Sequence, residues 1–512
     1  MEEIQINTTP ASPETSTKSQ VVDKLIYGTI ISLLIIIPIT IHLKIVDFIS
    51  PLVEIELFAS GKKGELFTFY EFIFLITGAT FLLALFLYKV IVKKYKLVQS
   101  RLYVYICALV FSLSISTFLS SYKHLALYGM YNSNSGFITY FCYFIIFIII
   151  INTKFSKKQL LGISLSTIPF LILNLILGLL SIYNVNILNY SWMRWFLGFS
   201  GELSGLKINS NITLDSTLPN QNYVSGVASI LFALFFSYML FTNKRLIKGT
   251  FFLLTSLSLL LIFTSMSQGG TLIFIILFPV LLLLSIFKMP NFRKINILLS
   301  TLLLIIGVSS IFYLSKLNST IMNETLGVFE SAVKAKNEIS SYKGPMFANP
   351  KLNGDYTLPT FPESGYGPGS GRLYIWEKVI EVWKNSPVFG TGFDTLPMVI
   401  DHYDKEKIAS LGTYTVFIGK PHNIYLGWLY GSGALGFLLF LALLIDIGLN
   451  FFKTILKKPL QIEIIAFGFA SLAYCIQALF YDAIIGSSII FWIFLGILSS
   501  KIIKDKDLPK SF

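Results

Sequence analysis

Lys420-Pro421-His422-Asn423-Ile424-Tyr425-Leu426-Gly427-Trp428-Leu429-Tyr430 marks a change of solvent. A polar segment of roughly 100 residues, Lys316 to Pro421, ends there, and a long apolar run begins at Ile424. At 1.5 Å per residue such a run is long enough to cross a bilayer as a helix. The chain has 4 histidines. One of them stands at the mouth of this run, on a helix N-terminus that the proline is expected to start. A helix N-terminus disfavours imidazolium, so His422 reads as a neutral base at the boundary between water and lipid.

The rest of the chain has the same character. Hydrophobic residues make up 54% of it and charged residues 13%, an apolar excess that no soluble core of this length would hide. Runs of about 17–25 apolar residues recur. The expected spans are 24–43, 69–89, 102–119, 136–152, 159–180, 222–241, 249–266, 270–287, 295–315, 422–450, 460–482 and 485–503. The fold class is therefore all-α integral membrane, with about twelve transmembrane helices. Residues 1–23, rich in Thr, Ser, Pro and Glu, read as a disordered tail, and 504–512 as a second tail. No cleaved signal peptide is expected, because the first apolar run follows a polar head. Cys107, Cys142 and Cys475 lie inside apolar spans without metal spacing and read as small packing residues.

Basic residues set the orientation. Lys89, Lys93, Lys94, Lys96 and Arg101 follow the second span, and Lys154, Lys157 and Lys158 the fourth. Lys244, Arg245 and Lys248 follow the sixth, Lys288, Arg293 and Lys294 the eighth, and Lys453, Lys457 and Lys458 the tenth. All fall on one side of an alternating topology, which makes that side and both termini cytoplasmic. The net charge of +13 is thus a topology signal, and its dispersal over many loops argues against nucleic acid as a partner. The opposite side carries an acidic loop at 44–68, a loop at 181–221 with Trp192, Arg194 and Trp195, and the long segment 316–421. Between spans 24–315 and spans 422–503, that long segment reads as a functional subdomain.

Within it, Leu373 to Lys384 has helical periodicity. Trp376, Val379, Ile380 and Trp383 share one face and Glu377, Lys378, Glu381 and Lys384 the other, and Pro387 stops the helix. Two tryptophans suit a helix lying along the bilayer surface. Arg372 stands at its head, after the glycine-rich run 365–371, where a guanidinium can hold a phosphate in bidentate fashion. Pro387-Val388-Phe389-Gly390-Thr391-Gly392 follows, and Gly433-Ala434-Leu435-Gly436 lies within the tenth span.

This ordered set resembles the O-antigen ligase/polymerase superfamily of bacterial membrane glycosyltransferases. The family pattern is an arginine, a Trp-containing amphipathic helix, a P-x-x-G-x-G turn, H-N-x-x-L and a G-x-x-G in the next span. The strong match covers 372–436. Pro219-Asn220-Gln221-Asn222-Tyr223 resembles the family's Asn-rich entry to a span, and Ser267-Gln268-Gly269-Gly270 falls where the family has Ser-Arg-Gly. The resemblance implies a GT-C-like fold with a large extracytoplasmic loop containing amphipathic helices between spans 9 and 10. It implies an enzyme of the cytoplasmic membrane with an extracytoplasmic active site. Such an enzyme passes a glycan from undecaprenyl diphosphate to an acceptor hydroxyl without metal or cofactor. The acceptor is a glycolipid or another glycan. Isoleucine-, lysine- and asparagine-rich usage hints at an AT-rich, Gram-positive setting, where such a ligase would attach teichoic acid chains to a glycolipid anchor. A repeat-unit polymerase would use the same chemistry.

On this resemblance His422 and Arg372 are the catalytic candidates, as general base and diphosphate ligand. Gln268, Asn222, Asn423, Arg194, Trp376 and Asp482 are the substrate-binding candidates, and Asp482 either orients a base or caps a helix. Gln268 stands in place of a family arginine near the donor diphosphate. An amide bonds phosphate without neutralising it, so Arg194, Lys207 and Lys420 are candidates for the replacement cation. The rival class is a lipid-linked oligosaccharide flippase, which predicts ionisable residues at mid-bilayer depth. Asp446 lies within the tenth span toward its inner end, and mid-span charges are otherwise scarce, which favours an enzyme working at the outer boundary.

Overall fold

A computed structural model describes residues 13–50, 60–199, 214–319, 321–323, 365, 371–413, 416–456 and 461–506. Most of the long loop, including 366–370 of its glycine-rich run, lies outside the described residues, as do Lys207 and the outer parts of both tails. The described chain is helical apart from one antiparallel hairpin, β1 (Lys44–Phe48) with β2 (Gly61–Glu65). Ten helices are long and apolar enough to cross a membrane, and two shorter apolar helices join them. In chain order these are α1 (Pro13–Ile36), α2 (Thr68–Leu87), α3 (Leu102–Leu119), α4 (Phe137–Ile151), α5 (Lys157–Ile182) and α6 (Gln221–Phe241). There follow α7 (Arg245–Thr264), α8 (Gln268–Lys288) and α9 (Arg293–Leu317). After the loop helix α10 (Arg372–Asn385) come α11 (Ile424–Leu456), α12 (Ile462–Gln477) and α13 (Ile485–Lys506). Every expected span has its helix, and the protein is a multi-pass membrane protein.

Two differences lie near the N-terminus. α1 reaches back to Pro13, into the stretch expected to be a tail, and Lys89, in the turn that follows α2, donates to Asp23 at 2.7 Å. The loop at 44–68 contains the hairpin, whose Glu65 caps α2 by accepting the backbone N–H groups of Phe67, Thr68 and Phe69 at 2.7–2.9 Å.

α6 is the axis of the bundle. All its residues from Tyr223 to Phe241 are buried, among α7, α8 and α12. The helix is apolar on every side, which is what a fully enclosed helix requires. Ser225, Gly226, Ser229, Ala233 and Ser237 keep its surface small, so neighbouring backbones approach closely. Two of the serine hydroxyls return to their own helix: Ser229 Oγ donates to Ser225 O at 2.9 Å and Ser237 Oγ to Ala233 O at 2.7 Å.

α11 is broken. Gly433 has φ 68° and ψ −176°, far from helical values, and the segment Pro387–Gly392 docks into the break. Ala434 N–H donates to Pro387 O at 2.8 Å and Leu435 N–H to Val388 O at 3.2 Å. In return Thr391 N–H donates to Tyr430 O at 2.9 Å and Gly392 N–H to Gly431 O at 3.0 Å. Ser116 Oγ of α3 adds a bond to Gly431 O at 2.6 Å. The P-x-x-G-x-G turn and the glycines of α11 are therefore two halves of one backbone joint, and the backbone groups freed by the break find partners in protein. Both halves need glycine: a Cβ on Gly433 would overlap the Val388 carbonyl, and one on Gly390 the Tyr430 carbonyl.

α10 forms as expected from Arg372 and stops before Pro387, but its buried face differs. Tyr374, Ile375, Val379 and Val382 face a small core with Leu396, Ile400, Leu411 and Tyr430, whereas Ile380 is exposed. The cause is the packing of α10 on α11, which turns both tryptophans to the margin of the interface. There each indole N–H finds a carbonyl, Trp376 on Pro421 O and Trp383 on Pro387 O, both at 3.0 Å.

The joint gives a test. Gly433→Ala forces a side chain into the left-handed region, at a cost of about 1–3 kcal/mol before the clash with Val388 is counted. Purified Gly433→Ala protein should unfold at a clearly lower temperature than wild type. Gly448→Ala in the same helix, where a Cβ would meet nothing within 4 Å, should not. Equal midpoints for all three proteins would show that the break carries no structural weight.

Candidate active site

The site forms where the chain leaves the loop subdomain and enters α11. The helix starts at Ile424, two residues later than the sequence suggests. Asn423 is its cap: the side-chain oxygen accepts Leu426 N–H at 3.1 Å and the main-chain oxygen accepts Gly427 N–H at 2.9 Å. Pro421 and His422 lie outside the helix, and His422 has φ 51°, in the left-handed region where a non-glycine residue is strained.

Asp482 holds His422 in that conformation. It lies between α12 and α13 and is buried, and it uses both carboxylate oxygens on the histidine. Oδ1 accepts the His422 backbone N–H at 2.7 Å, and Oδ2 lies 2.8 Å from Nδ1 of the ring. The ring is 46% exposed although its partner is only 5% exposed, so the far edge of the imidazole opens outward. With Nδ1–H donated to the carboxylate, Nε2 is the free nitrogen, and in the neutral ring it carries the lone pair. Burial pushes the Asp482 carboxyl up, but the hydrogen bond and charge of His422, the charge of Lys420 and the His422 backbone N–H outweigh it and hold the group below its ordinary value. Of the two roles open to Asp482 from sequence, orientation of the histidine is the one the geometry supplies.

Other groups converge on this pair. Tyr223, in the first turn of α6, donates its hydroxyl to Asp482 Oδ2 at 3.4 Å. The sequence reading missed it, although its neighbour Asn222 was a candidate. Asn222 is half-buried in the same turn, its backbone N–H capped by Asn220. Trp376 spends its N–H on Pro421 O, so it pins the turn before His422 from below. Lys420 and Asn423 line a small cavity of about 30 Å³ together with Asp482, Asp394 and Ser135. Asp394 shapes its wall by accepting the N–H groups of Met130 and Ser135 and the Ser133 hydroxyl.

Arg372 heads α10 behind Gly371, whose φ of 81° lets the chain pass against Leu411 without a side chain. Burial lowers the guanidinium below its ordinary value, while the charge of Asp482 pulls it the other way. It remains a cation at neutral pH. Among the described residues, no hydrogen bond or ion pair claims the Arg372 guanidinium or the Lys420 ammonium.

Gln268 begins α8, half-buried, and the adjoining Gly269 packs on the end of α12, where a Cβ would lie 2.8 Å from Gln477 Nε2. The starts of α6 and α8 and the end of α12 are thus assembled at the membrane edge that carries Asp482. Arg194 is not brought in. It is exposed on the short helix Ser191–Phe196, whose following residue Leu197 bonds Leu43 beside the hairpin. Among the described residues, no cluster of three or more His, Cys, Asp or Glu has the arrangement of a metal site.

The Asp482 grip has an acid signature. Because its folded value lies below the ordinary 3.8, the stability it supplies is complete above that value and is lost as pH falls through the lower folded one. Wild-type protein should therefore lose its stability advantage over Asp482→Asn as pH drops below about 4, read as the difference in thermal midpoint. A constant difference down to about pH 2 would mean that no charge is held at Asp482.

Residues 251–441 match the family model of the O-antigen ligases, a stretch that includes Gln268, Arg372, Trp376, His422 and Asn423 and ends before Asp482. No curated protein matches the chain. Together with the multi-pass helical fold, this match over part of the chain supports placing it with the O-antigen ligase/polymerase superfamily, membrane enzymes of ligase- or polymerase-type glycosyl transfer in polysaccharide assembly.

Proposed function

We propose that the protein transfers a glycan from an undecaprenyl-diphosphate carrier to an acceptor hydroxyl on the outer face of the cytoplasmic membrane. His422 acts as the general base. The observation that carries this reading is the His422–Asp482 pair: an exposed imidazole whose inner nitrogen is fixed on a buried carboxylate. A base positioned by a third group is the arrangement that activation of a hydroxyl needs. Nε2 takes the proton as the acceptor oxygen bonds to the sugar C1. The bond from C1 to the diphosphate oxygen breaks, and its electron pair leaves with the diphosphate. Asp482 stabilises the imidazolium that forms, as a positioning residue rather than a proton acceptor.

The diphosphate charge falls to Arg372 and Lys420, two cations flanking the pair with their donors unclaimed among the described residues. Arg372 offers a planar fork to phosphate oxygens and Lys420 a compact charge. Lys420 is then the replacement for the cation missing at Gln268, while Gln268 and Asn222, at the starts of α8 and α6, contribute hydrogen bonds to donor or acceptor. Asn423 and Trp376 act through the turn they hold. The basic clusters at the opposite helix ends support cytoplasmic termini and an outward-facing centre. The acceptor in this reading is a glycolipid anchor and the glycan a surface polysaccharide or a teichoic acid chain.

Transfer from purified undecaprenyl-diphosphate glycan, offered a glycolipid or a second lipid-linked glycan, tests this. His422→Ala should lose roughly 10²–10⁴-fold in rate at normal protein levels, and Asp482→Asn at least about tenfold with an altered pH profile. Full activity of His422→Ala would remove the base. Elongation of the lipid-linked glycan in place of glycolipid transfer would make the enzyme a polymerase.

The two cations separate by kinetics. Arg372→Lys keeps charge but loses the fork, so kcat should fall by about tenfold or more. Lys420→Gln should weaken donor use chiefly through KM. An unaffected Arg372→Lys enzyme would overturn bidentate binding, and an unchanged donor KM in Lys420→Gln would leave the second cation unassigned to Lys420.

A further inference from the structure

At the other end of α11 is a second polar centre. Asp446 lies roughly 30 Å along the helix from Ile424, on the opposite face of the membrane. Arg101, just before α3, binds it with a fork: Nε donates to Oδ2 at 2.8 Å and Nη2 donates to Oδ1. Asn450, one turn along α11, donates Nδ2 to Asp446 Oδ1 at 2.9 Å. The carboxylate is thus fully engaged and its charge is matched. The arginine is not spent, because its side chain is 64% exposed and two of its five N–H donors suffice for the pair.

These residues line a cavity of about 450 Å³ between α3, α11 and α13, within the size range of small-molecule sites. Its lining is two-sided. Gln99 and Arg101 offer donors, whereas Leu102, Ile447 and Ile502 give an apolar wall. The rim is basic. Lys96 is exposed in the loop before Arg101. Lys453 is exposed seven residues beyond Asp446, on the same stripe of α11, and neither lysine is in an ion pair among the described residues. Asp446 is the one acidic residue in the lining.

We propose that this cavity binds the headgroup of an anionic phospholipid from the leaflet opposite the His422 centre. Arg101 holds the phosphate, Lys96 and Lys453 at the same helix ends attract the headgroup, and the upper acyl chains lie on the apolar wall. A basic pocket between helix ends at membrane depth suits a lipid better than a soluble anion, which has no use for the apolar side. The bound lipid braces α11. α3 grips that helix twice, at Gly431 through Ser116 and at Asp446 through Arg101. A lipid in the cavity closes the second grip.

The test uses the full-length protein, purified and delipidated in detergent. Palmitoyl-oleoyl phosphatidylglycerol is added, with phosphatidylcholine of the same chains and free glycerol phosphate as comparisons. Phosphatidylglycerol should raise the thermal midpoint and appear as a bound adduct in native mass spectrometry, and the other two should do neither. Ser499→Leu fills the cavity from α13 and spares the Arg101–Asp446 pair. It should weaken phosphatidylglycerol binding by about tenfold or more. Lys453→Gln, an exposed change safe for folding, should narrow the preference over phosphatidylcholine. Equal stabilisation by phosphatidylcholine, an effect of glycerol phosphate alone, or unchanged binding in both variants would each overturn the proposal.

Discussion

The carboxylate of Asp482 is the group on which the candidate site depends. One oxygen holds the backbone N–H of His422 and the other its ring, at 2.7 Å and 2.8 Å. Neither contact would be enough alone. The backbone bond keeps His422 in a left-handed conformation that the chain would otherwise relax, and the ring bond fixes which nitrogen faces outward. A buried carboxylate with no partner would be costly, and a strained histidine with no anchor would move. Each group removes the other's liability. The pair also ties the entry of α11 to the turn between α12 and α13, and the bond from Ile424 N–H to Ala478 O at 2.8 Å repeats that tie at the start of the same turn.

The joint at Gly433 serves the same end from the loop side. A continuous α11 would leave Pro387–Gly392 with nothing to bond. The break supplies two carbonyls and two N–H groups at the depth where that segment arrives, and the segment returns its own. The loop subdomain is thereby fixed to the helix that carries His422, which is how Arg372, 50 residues upstream, is kept within the electrostatic reach of Asp482. Backbone-to-backbone docking of this kind needs close approach, and that is why the glycines stand at 390 and 433.

The spans were legible from sequence because bilayer thickness dictates their length and lipid dictates their composition. Arg372, Gln268 and Asn222 stand in the first turns of their helices as expected, since start signals are local, whereas His422 lies just before its helix, which Asn423 caps. What escaped were consequences of contact at long range. Asp482 lies 60 residues from His422, and nothing in either neighbourhood encodes their pairing, so its two roles stayed open. The break at Gly433 is invisible in a run that is apolar on both sides of it. The buried face of α10 was misjudged because periodicity identifies a stripe but not which edge of it meets α11, and Ile380 fell outside. Arg194 is a candidate from sequence as a cation on the outer side that could replace the one missing at Gln268, and its helix is held beside the β-hairpin. The hairpin itself, made of Lys44–Phe48 and Gly61–Glu65, has charges and glycines where strand patterns have β-branched residues.

The distribution of charge along α11 follows from these constraints. A helix broken in the membrane has two ends to stabilise as well as two termini. At its start a carboxylate from outside the helix, Asp482, meets a histidine. At its far end a carboxylate from inside it, Asp446, meets an arginine from α3. Both carboxylates are nearly enclosed and both partners stay open to the surroundings. The asymmetry has a physical reason. The buried anion fixes geometry, because it is surrounded by donors that do not move. The exposed cation or imidazole is the member free to meet a ligand. At the His422 end that outward group is a base with cations beside it, suited to a hydroxyl and a diphosphate. At the Asp446 end it is a guanidinium beside an apolar wall, suited to an anion that brings hydrocarbon with it.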